Sequence, residues 1–133
     1  MLLLSVLNGL GVPGYQSIHT AAREGNLEEV NRQLAWGVNP NSHHLITRDT
    51  SLIGAAVNGH ADVVKLLIEK GADVNVRAIY GRTPLYTAFD KGDVEMGRIL
   101  LEHGAEPTLE CNGHRVSEEF LKSLQQDDSS QRP

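Results

Sequence analysis

Histidine and cysteine are the side chains of this sequence that could do metal or nucleophilic chemistry. The chain has six histidines and one cysteine. Cys111 and His114 have the spacing of half a zinc site, but no second pair of ligands accompanies them. His43 and His44 are adjacent on a loop, where neighbouring side chains point in different directions. We therefore predict structural or solvent-facing histidines and a loop thiol, with no metal ion and no cofactor.

The sequence contains no motif of an enzyme active site. A phosphate-binding loop, a His-Glu-x-x-His helix and a Gly-x-Ser-x-Gly turn are all absent from it. Cys111 and His114 could form a nucleophile and its base, but such a pair also needs an orienting group and an oxyanion hole, and neither can be named. We expect a protein that is not an enzyme.

Composition and charge are those of an ordinary globular chain. Of its 133 residues, 22% are charged and 40% are hydrophobic, and the formal net charge is −5. The acidic balance argues against nucleic acid as a partner, and no apolar run approaches the roughly 18 residues that span a membrane.

The first nine residues contain no lysine or arginine, so we expect no signal peptide. A lone cysteine cannot form an intrachain disulfide, and we expect a cytoplasmic protein, with the nucleus as an alternative.

An internal repeat organises the sequence. Residues 55–75 recur in weakened form 34 residues upstream and 33 residues downstream. The clearest shared positions are the glycines Gly25, Gly59 and Gly92, and then Gly37, Gly71 and Gly104. A period of 20–50 residues is typical of stacked supersecondary units. The chain is therefore predicted to be a repeat array, not a closed globular domain.

The third copy carries the motif of a known family. Residues 83–88 read Thr-Pro-Leu-Tyr-Thr-Ala, residues 92–94 read Gly-Asp-Val, and residues 99–105 read Ile-Leu-Leu-Glu-His-Gly-Ala. This pattern resembles the ankyrin repeat, in which a Thr-Pro-Leu-His-x-Ala turn opens each unit. The resemblance implies an all-α repeat solenoid: a stack of three ankyrin repeats plus a partial C-terminal capping repeat, with short β-hairpin fingers between them.

We place the repeats at about residues 16–41, 42–75 and 76–108, followed by a partial repeat at 109–126. Residues 1–15 are an apolar segment, either a remnant half-repeat that caps the stack or a short peptide that docks on a partner. Trp36 likewise has two interpretations: it packs on residues 1–15, or it is exposed and contacts a partner. Residues 127–133 are polar and are expected to be a disordered tail.

In each unit, the polar and apolar positions of the second helix predict whether the unit has a neighbour on one side or on both. Polar stripes on otherwise apolar helices are formed by Asp62, Lys65 and Glu69 in the middle unit, and by Glu95, Arg98 and Glu102 in the third. Helices of this kind are buried on most sides. The first unit is polar on the face that would meet a preceding unit, at Glu29, Arg32 and Gln33, so we expect it to be a terminal cap.

Two departures from the ankyrin pattern are expected to change local packing. The histidine of the turn motif, which in the family links neighbouring loops, is kept only as His19 and becomes Ile53 and Tyr86 in the next two units. Phe89 occupies a position that is alanine in the other two units, where small residues allow helices to approach closely. Its ring must displace a neighbour or protrude.

Charge is predicted to separate between basic fingers and acidic helices. The fingers and the fourth-unit turn carry His43, His44, Arg48, Arg77, Arg82, His114 and Arg115 against Asp49 and Glu110. In the ankyrin family the concave groove is formed by the fingers and by first-helix positions. The candidate partner-binding residues are therefore Arg23, His43, His44, Leu45, Ile46, Arg48, Val57, Asn58, Arg77, Ile79, Tyr80, Arg82, Asp90 and Lys91. Ordinary solvated loop residues are the alternative interpretation.

The predicted function is a non-catalytic protein-protein interaction module, an adaptor or a masking inhibitor. Its partner is expected to be another protein with an acidic or mixed surface, and the chain by itself is expected to be a monomer. The alternative is a binding domain excised from a larger enzyme, channel or effector. The initial methionine and the polar tail favour a complete small protein. The resemblance also leaves open whether Asn75 is a site of asparaginyl hydroxylation, as in some ankyrin units.

Overall fold

The computed structural model describes residues 16–126, and seven α-helices form their framework. In chain order these are α1 (Ile18–Glu24), α2 (Leu27–Ala35), α3 (Ser51–Val57), α4 (Ala61–Glu69), α5 (Pro84–Lys91), α6 (Val94–Glu102) and α7 (Glu118–Gln125), with a 3-10 turn at Ile79–Gly81. The predicted N-terminal cap at 1–15 and the predicted tail at 127–133 lie outside the described residues.

A polar side chain caps the start of most of these helices. Ser17, Asn26, Thr83, Asp93 and Ser117 each accept a hydrogen bond from the backbone N–H three residues later, at 3.0–3.2 Å. Such caps satisfy one of the unpaired N–H groups of the first helical turn. The helices α3 and α4 have no side-chain cap. The middle pair therefore depends more on packing than its neighbours do.

The first six helices form three stacked pairs, α1–α2, α3–α4 and α5–α6. One helix of each pair, α1, α3 or α5, lies in an inner row, and the other, α2, α4 or α6, lies in an outer row. The core between the rows is apolar, and its fully buried members include Ala21, Ala22, Val30, Leu52, Ala55, Val63, Val64, Leu67, Ala88 and Leu100. This confirms the predicted all-α repeat fold.

The outer-row helices are buried largely as their sequences predict. In α4, Val63, Val64 and Leu67 are buried, and the polar stripe of Asp62, Lys65 and Glu69 is exposed. In α6, Met96, Ile99 and Leu100 are buried and Glu95 and Glu102 are exposed. Arg98 differs from the expectation of an outward-facing side chain, because only 25% of it is exposed and it contacts the last helix.

Asparagine side chains link each helix pair to the next. The Asn41 amide donates to the Gly71 carbonyl at 3.0 Å and accepts from the Asp73 N–H at 2.7 Å. Asn75 repeats this arrangement one unit later, donating to the Gly104 carbonyl at 3.1 Å and accepting from the Glu106 N–H at 2.8 Å. Each amide therefore satisfies a helix-end carbonyl and a loop N–H of the following unit.

The fingers between the helix pairs are minimal. In the first finger (residues 42–49), His43 and Thr50 form a single isolated antiparallel bridge, and Cys111 and His114 form another in the fourth-unit turn (residues 109–115). The second finger (residues 76–82) is built on the 3-10 turn. Within residues 16–126, pairing between extended segments goes no further than these bridges. The hairpins implied by the family resemblance are thus reduced to tight turns.

The last helix does not extend the inner row. Its main helix contact is with α6 of the outer row, whereas a regular fourth unit would place it beside α5. Gly97 makes this contact possible, because an added Cβ would lie 2.7 Å from Leu124 Cδ2 and 3.2 Å from the Phe120 ring. The Phe89 ring packs edge-on against Phe120, with ring centroids 5.4 Å apart. The bulk at Phe89 is thus accommodated by the displaced helix.

Arg98 ties the end of α7 to α6. Its side chain donates to the Leu124 carbonyl at 3.2 Å and to the Gln126 carbonyl at 2.6 Å. A cation at a helix C-terminus is favourable, because the unpaired carbonyls there carry partial negative charge.

The outer face of the first pair is polar, as expected for a terminal unit. Arg32 and Glu29 form an ion pair, and Gln33 donates to Glu29 Oε1 at 2.7 Å and to the Gln16 carbonyl at 2.6 Å. Trp36 is 56% exposed at the end of α2. The segment predicted to cover it, residues 1–15, lies outside the described residues.

We predict that Gly25→Ala destabilises the fold more than Gly92→Ala. Both glycines end an inner-row helix with positive φ, +77° and +66°, which costs alanine about 1 kcal/mol. Only at Gly25 would the Cβ meet another side chain, lying 2.5 Å from Nδ1 of His60. Moving that ring would break the 3.0 Å hydrogen bond from His60 to the Arg23 carbonyl, adding about 1 kcal/mol.

Urea denaturation followed by circular dichroism gives the two free energies of unfolding. Equal losses for Gly25→Ala and Gly92→Ala would show that the His60 ring does not hold the end of α1.

Candidate functional site

A groove runs between the inner row and the first finger. Its volume is about 380 Å³, and it is open to solvent. It is lined by residues of α1, of the first finger, of α3 and of the second finger, namely His19, Arg23, His44, Thr47, Asp49, Thr50, Ile53, Gly54, Val57, Asn58 and Arg82. This volume is at the small end of the range for ligand sites. It is large enough for a few side chains of a peptide.

Two histidines position the α1 side of the groove. His19 donates from Nε2 to the Ser42 carbonyl at 2.9 Å, which fixes the start of the first finger against α1. His60 donates from Nε2 to the Arg23 carbonyl at 3.0 Å, which holds the last turn of α1 against the N-terminus of α4. The Arg23 side chain is exposed, and it has no hydrogen bond or ion pair with any residue from 16 to 126.

The first finger presents apolar side chains to solvent. The His44 N–H donates to the Asp49 carbonyl and the Arg48 N–H donates to the His44 carbonyl, both at 2.9 Å, which closes the turn. At its tip, Leu45 is 91% exposed and Ile46 is 78% exposed. Exposed apolar side chains that adjoin a groove are typical of interaction sites.

Arg48 and Tyr80 lie in a backbone region that disfavours most side chains. Their φ angles are +58° and +61°. Gly81, one repeat period of 33 residues after Arg48, has φ +80°. Arginine thus occupies, in the first finger, the turn position that is glycine in the second. Non-glycine residues in such conformations cost about 1 kcal/mol or more and are concentrated at functional sites.

Backbone hydrogen bonds join each finger to the next element of the finger row. The Ile79 N–H donates to the Thr47 carbonyl at 3.0 Å, which links the first and second fingers. The Asn112 N–H donates to the Tyr80 carbonyl at 2.7 Å, which links the second finger to the fourth-unit turn. Tyr80 itself is 72% exposed. The finger row is therefore continuous along the array.

Arginines reinforce the finger row by bonds within the chain. Arg82 forms a 2.7 Å ion pair with Asp49, and Arg77 donates to the Glu110 carbonyl at 3.0 Å. Arg115 pairs with the Glu110 carboxylate at 2.9 Å. Four arginines and two carboxylates on the fingers and the fourth-unit turn leave a formal excess of two positive charges.

Twelve of the fourteen predicted partner-binding residues fall into three places. The groove contains Arg23, His44, Val57, Asn58 and Arg82; the exposed first finger contains His43, Leu45, Ile46 and Arg48; and the second finger contains Arg77, Ile79 and Tyr80. Asp90 and Lys91 are exposed at the C-terminal end of α5, outside the groove lining. The structure brings the first two sets together around one groove. Their contact with a partner stays a prediction.

Six groove residues are missing from the sequence-based set: His19, Thr47, Asp49, Thr50, Ile53 and Gly54. Repeat register is the signal that could have found some of them. Ile53 occupies the position of His19 in the turn motif, one period on, and Gly54 occupies the position of Thr20 and Thr87. In the first unit, His19 bonds the Ser42 carbonyl at the start of the first finger, so this position of the inner row adjoins a finger there.

Several buried polar atoms at the start of α3 and in the second finger lack partners. Thr50 Oγ1, Ser51 Oγ and Arg82 Nε have no hydrogen-bond partner among the described residues. Thr83, the equivalent of Thr50 in the third unit, accepts from the Tyr86 N–H at 3.0 Å. Buried polar atoms without a hydrogen-bond partner are uncommon in folded proteins. A partner from outside the described residues would satisfy these three atoms.

The described residues contain neither a cluster of metal ligands nor a helix that could span a membrane. Between residues 16 and 126, no group of three or more histidine, cysteine, aspartate or glutamate side chains is placed to hold a metal ion. The free thiol of Cys111 is buried. None of the helices in this range has both the length and the apolar character needed to cross a bilayer.

Comparison with known proteins identifies the repeats. A family model described as ankyrin repeats, in three copies, matches residues 18–111. An ankyrin repeat-containing protein of Treponema pallidum is 35% identical over 97 residues, which cover 73% of this chain and 33% of that protein. One of Schizosaccharomyces pombe is 29% identical over 109 residues, 80% of this chain and 50% of that protein. The mouse 2-5A-dependent ribonuclease is 42% identical over 64 residues, 47% of this chain and 9% of the enzyme.

The matched region is only a part of each of these relatives. The chain spans half or less of the length of the curated relatives described above. Similar repeats therefore occur in proteins of very different size, including one named as an enzyme.

We predict that Arg48→Gly raises the free energy of unfolding by about 1 kcal/mol, because glycine adopts the φ of +58° without strain. The matched control is Lys65→Gly, which removes the same charge from the exposed face of α4. There, glycine in a helix interior is expected to cost about 1 kcal/mol. Chemical denaturation measures both changes. A loss of stability in Arg48→Gly would show that the arginine side chain stabilises the finger.

Proposed function

This chain belongs to the ankyrin-repeat family, and we propose that it is a non-catalytic adaptor or masking inhibitor that binds a partner protein through its fingers and concave groove. Ankyrin repeats are in general protein-interaction modules, and the repeat region is typically without catalytic activity. The site on the scaffold, and not the scaffold itself, decides which partner is bound.

The observation that carries the proposal is the exposure of apolar side chains along the finger row. Leu45, Ile46 and Tyr80 are 91%, 78% and 72% exposed. Arg48 follows Leu45 and Ile46 in the same finger. Aromatic and arginine side chains dominate the energetics of many interfaces. Apolar groups held in water on ordered turns favour association, since burial against a partner removes that area from water.

Charge supports an acidic or mixed partner surface. The finger row has an excess of arginine, whereas the helices carry most of the carboxylates of a chain with net charge −5. Complementary charge steers association and fixes orientation, and salt screens it. We expect the association rate to fall as ionic strength rises from about 50 to about 300 mM.

The second candidate is a binding domain of a larger polypeptide. It is favoured by relatives such as the mouse ribonuclease, in which the matched repeats make up 9% of the length. In either case the role of residues 16–126 is recognition. We further expect a monomer without cofactor that works in a reducing intracellular compartment, in keeping with the buried free thiol of Cys111.

The proposal is tested by affinity capture with the tagged intact chain, identification of the captured protein by mass spectrometry, and titration of that purified partner. We expect Leu45→Ser/Ile46→Ser to weaken binding at least tenfold, or about 1.4 kcal/mol, because it removes the exposed apolar contact. Its free energy of unfolding should change by less than about 0.5 kcal/mol, since both side chains are solvent-exposed in the free protein.

Arg48→Gly and Lys65→Gly provide a matched pair for the same titration. Each removes one positive charge, but only Arg48 lies on a finger. Partner affinity should fall in Arg48→Gly although that variant is the more stable one. Equal affinities for the two variants, or an unchanged affinity in Leu45→Ser/Ile46→Ser, would reject the finger surface. Arg77 and Arg82 are less suitable because both also hold the fingers together.

A further inference from the structure

The groove contains an arginine whose charge is not neutralised within the described chain. Asp49 is the carboxylate among the lining residues, and it is paired with Arg82 at 2.7 Å. Arg23, on α1, is left with no hydrogen bond or ion pair to residues 16–126. The remaining charge of the groove is therefore positive, which favours an anionic group of the ligand.

Two buried polar atoms of the groove lining favour an acceptor on that ligand. Thr50 is only 3% exposed and its Oγ1 has no partner among the described residues, in contrast with Thr83, which caps its own helix. Arg82 Nε is also buried without a partner, although Nη2 of the same guanidinium binds Asp49. A hydroxyl and an N–H can both donate, and a carboxylate accepts several such bonds.

The floor of the groove is apolar, and a glycine without a side chain leaves space above it. Ile53 and Val57 belong to α3, and Gly54 lies between them in the helix interior. The equivalent residues of the neighbouring units are Thr20 and Thr87. An alanine would fit at Gly54, since its Cβ would lie 3.7 Å from Arg23 Cβ, an ordinary contact. The space is thus left open at the expense of helix propensity.

We infer that the groove binds a peptide segment of the partner in which an aspartate or glutamate adjoins a branched aliphatic residue. This inference rests on the proposed function and adds the chemistry of the ligand. The carboxylate binds Arg23 and the free hydrogen-bonding groups of Thr50 and Arg82, and the aliphatic side chain packs over Gly54 against Val57. Arginine is well suited to the carboxylate because its planar donors bind it in a bidentate manner.

The test begins with selection of phage-displayed random octapeptides on the immobilised full chain. We expect enrichment of sequences in which aspartate or glutamate neighbours isoleucine, leucine or valine. The most enriched peptide is then synthesised, together with a version carrying asparagine or glutamine in place of its acidic residues. The neutral version should bind at least tenfold more weakly by fluorescence polarisation. Enrichment of basic or wholly apolar peptides, or no enrichment, overturns the inference.

Two variants locate the peptide in the groove. Arg23→Gln should weaken binding of the acidic peptide about tenfold, whereas Lys65→Gln, which removes the same charge from the outer row, should leave it unchanged. Gly54→Ala should raise the melting temperature, because alanine favours the helix, and should also weaken binding at least threefold by filling the floor. Peptide affinity unchanged in both Arg23→Gln and Gly54→Ala overturns the assignment to this groove.

The two proposals fail in different ways. A protein partner that loses affinity in Leu45→Ser/Ile46→Ser but not in Arg23→Gln or Gly54→Ala would leave the interaction function in place and reject the carboxylate site. Loss of affinity for the acidic peptide in Arg23→Gln and Gly54→Ala, with no dependence of the partner on the finger residues, would support the groove and reject the finger surface.

Discussion

A pair of short helices cannot bury all of its apolar surface alone, and this constraint governs the whole structure. In α4, Val63, Val64 and Leu67 reach zero exposure because α3 packs against them within the pair and α2 and α6 flank them in the outer row. Stacking is therefore the condition for folding, as in other repeat arrays. It also fixes the spacing of the fingers, since one finger joins α2 to α3 and the other joins α4 to α5.

The binding surface is consequently a property of the array and not of one repeat. The fingers have almost no strand pairing of their own, and each is held by the next through a few contacts, such as Ile79 N–H to the Thr47 carbonyl and Arg82 to Asp49. A substitution in the second finger is therefore expected to change the conformation of the first finger. This explains how arginines of the second finger can shape a groove that belongs mainly to the first.

Three departures from the repeat pattern lie in the middle unit, around that groove. Gly54 replaces threonine in the interior of α3, Thr50 does not cap its helix as Thr83 does, and Arg48 adopts a φ that glycine adopts at Gly81. Each of these features lowers local stability, and neighbouring units show that the fold does not require them. Local departures of this kind are expected where function, and not folding, selects the residue.

The sequence by itself determined the repeat period, the three helix pairs, the buried faces of α4 and the polar outer face of the first unit, because these follow from local spacing of apolar residues, caps and glycines. Only the tertiary structure decided the position of α7, where Gly97 and Phe89 accept the side chain of Phe120. It also placed Ile53 and Gly54 in the groove and paired Arg82 with Asp49. These contacts join residues about thirty positions apart, and their geometry depends on how closely neighbouring helices pack, which no local pattern specifies.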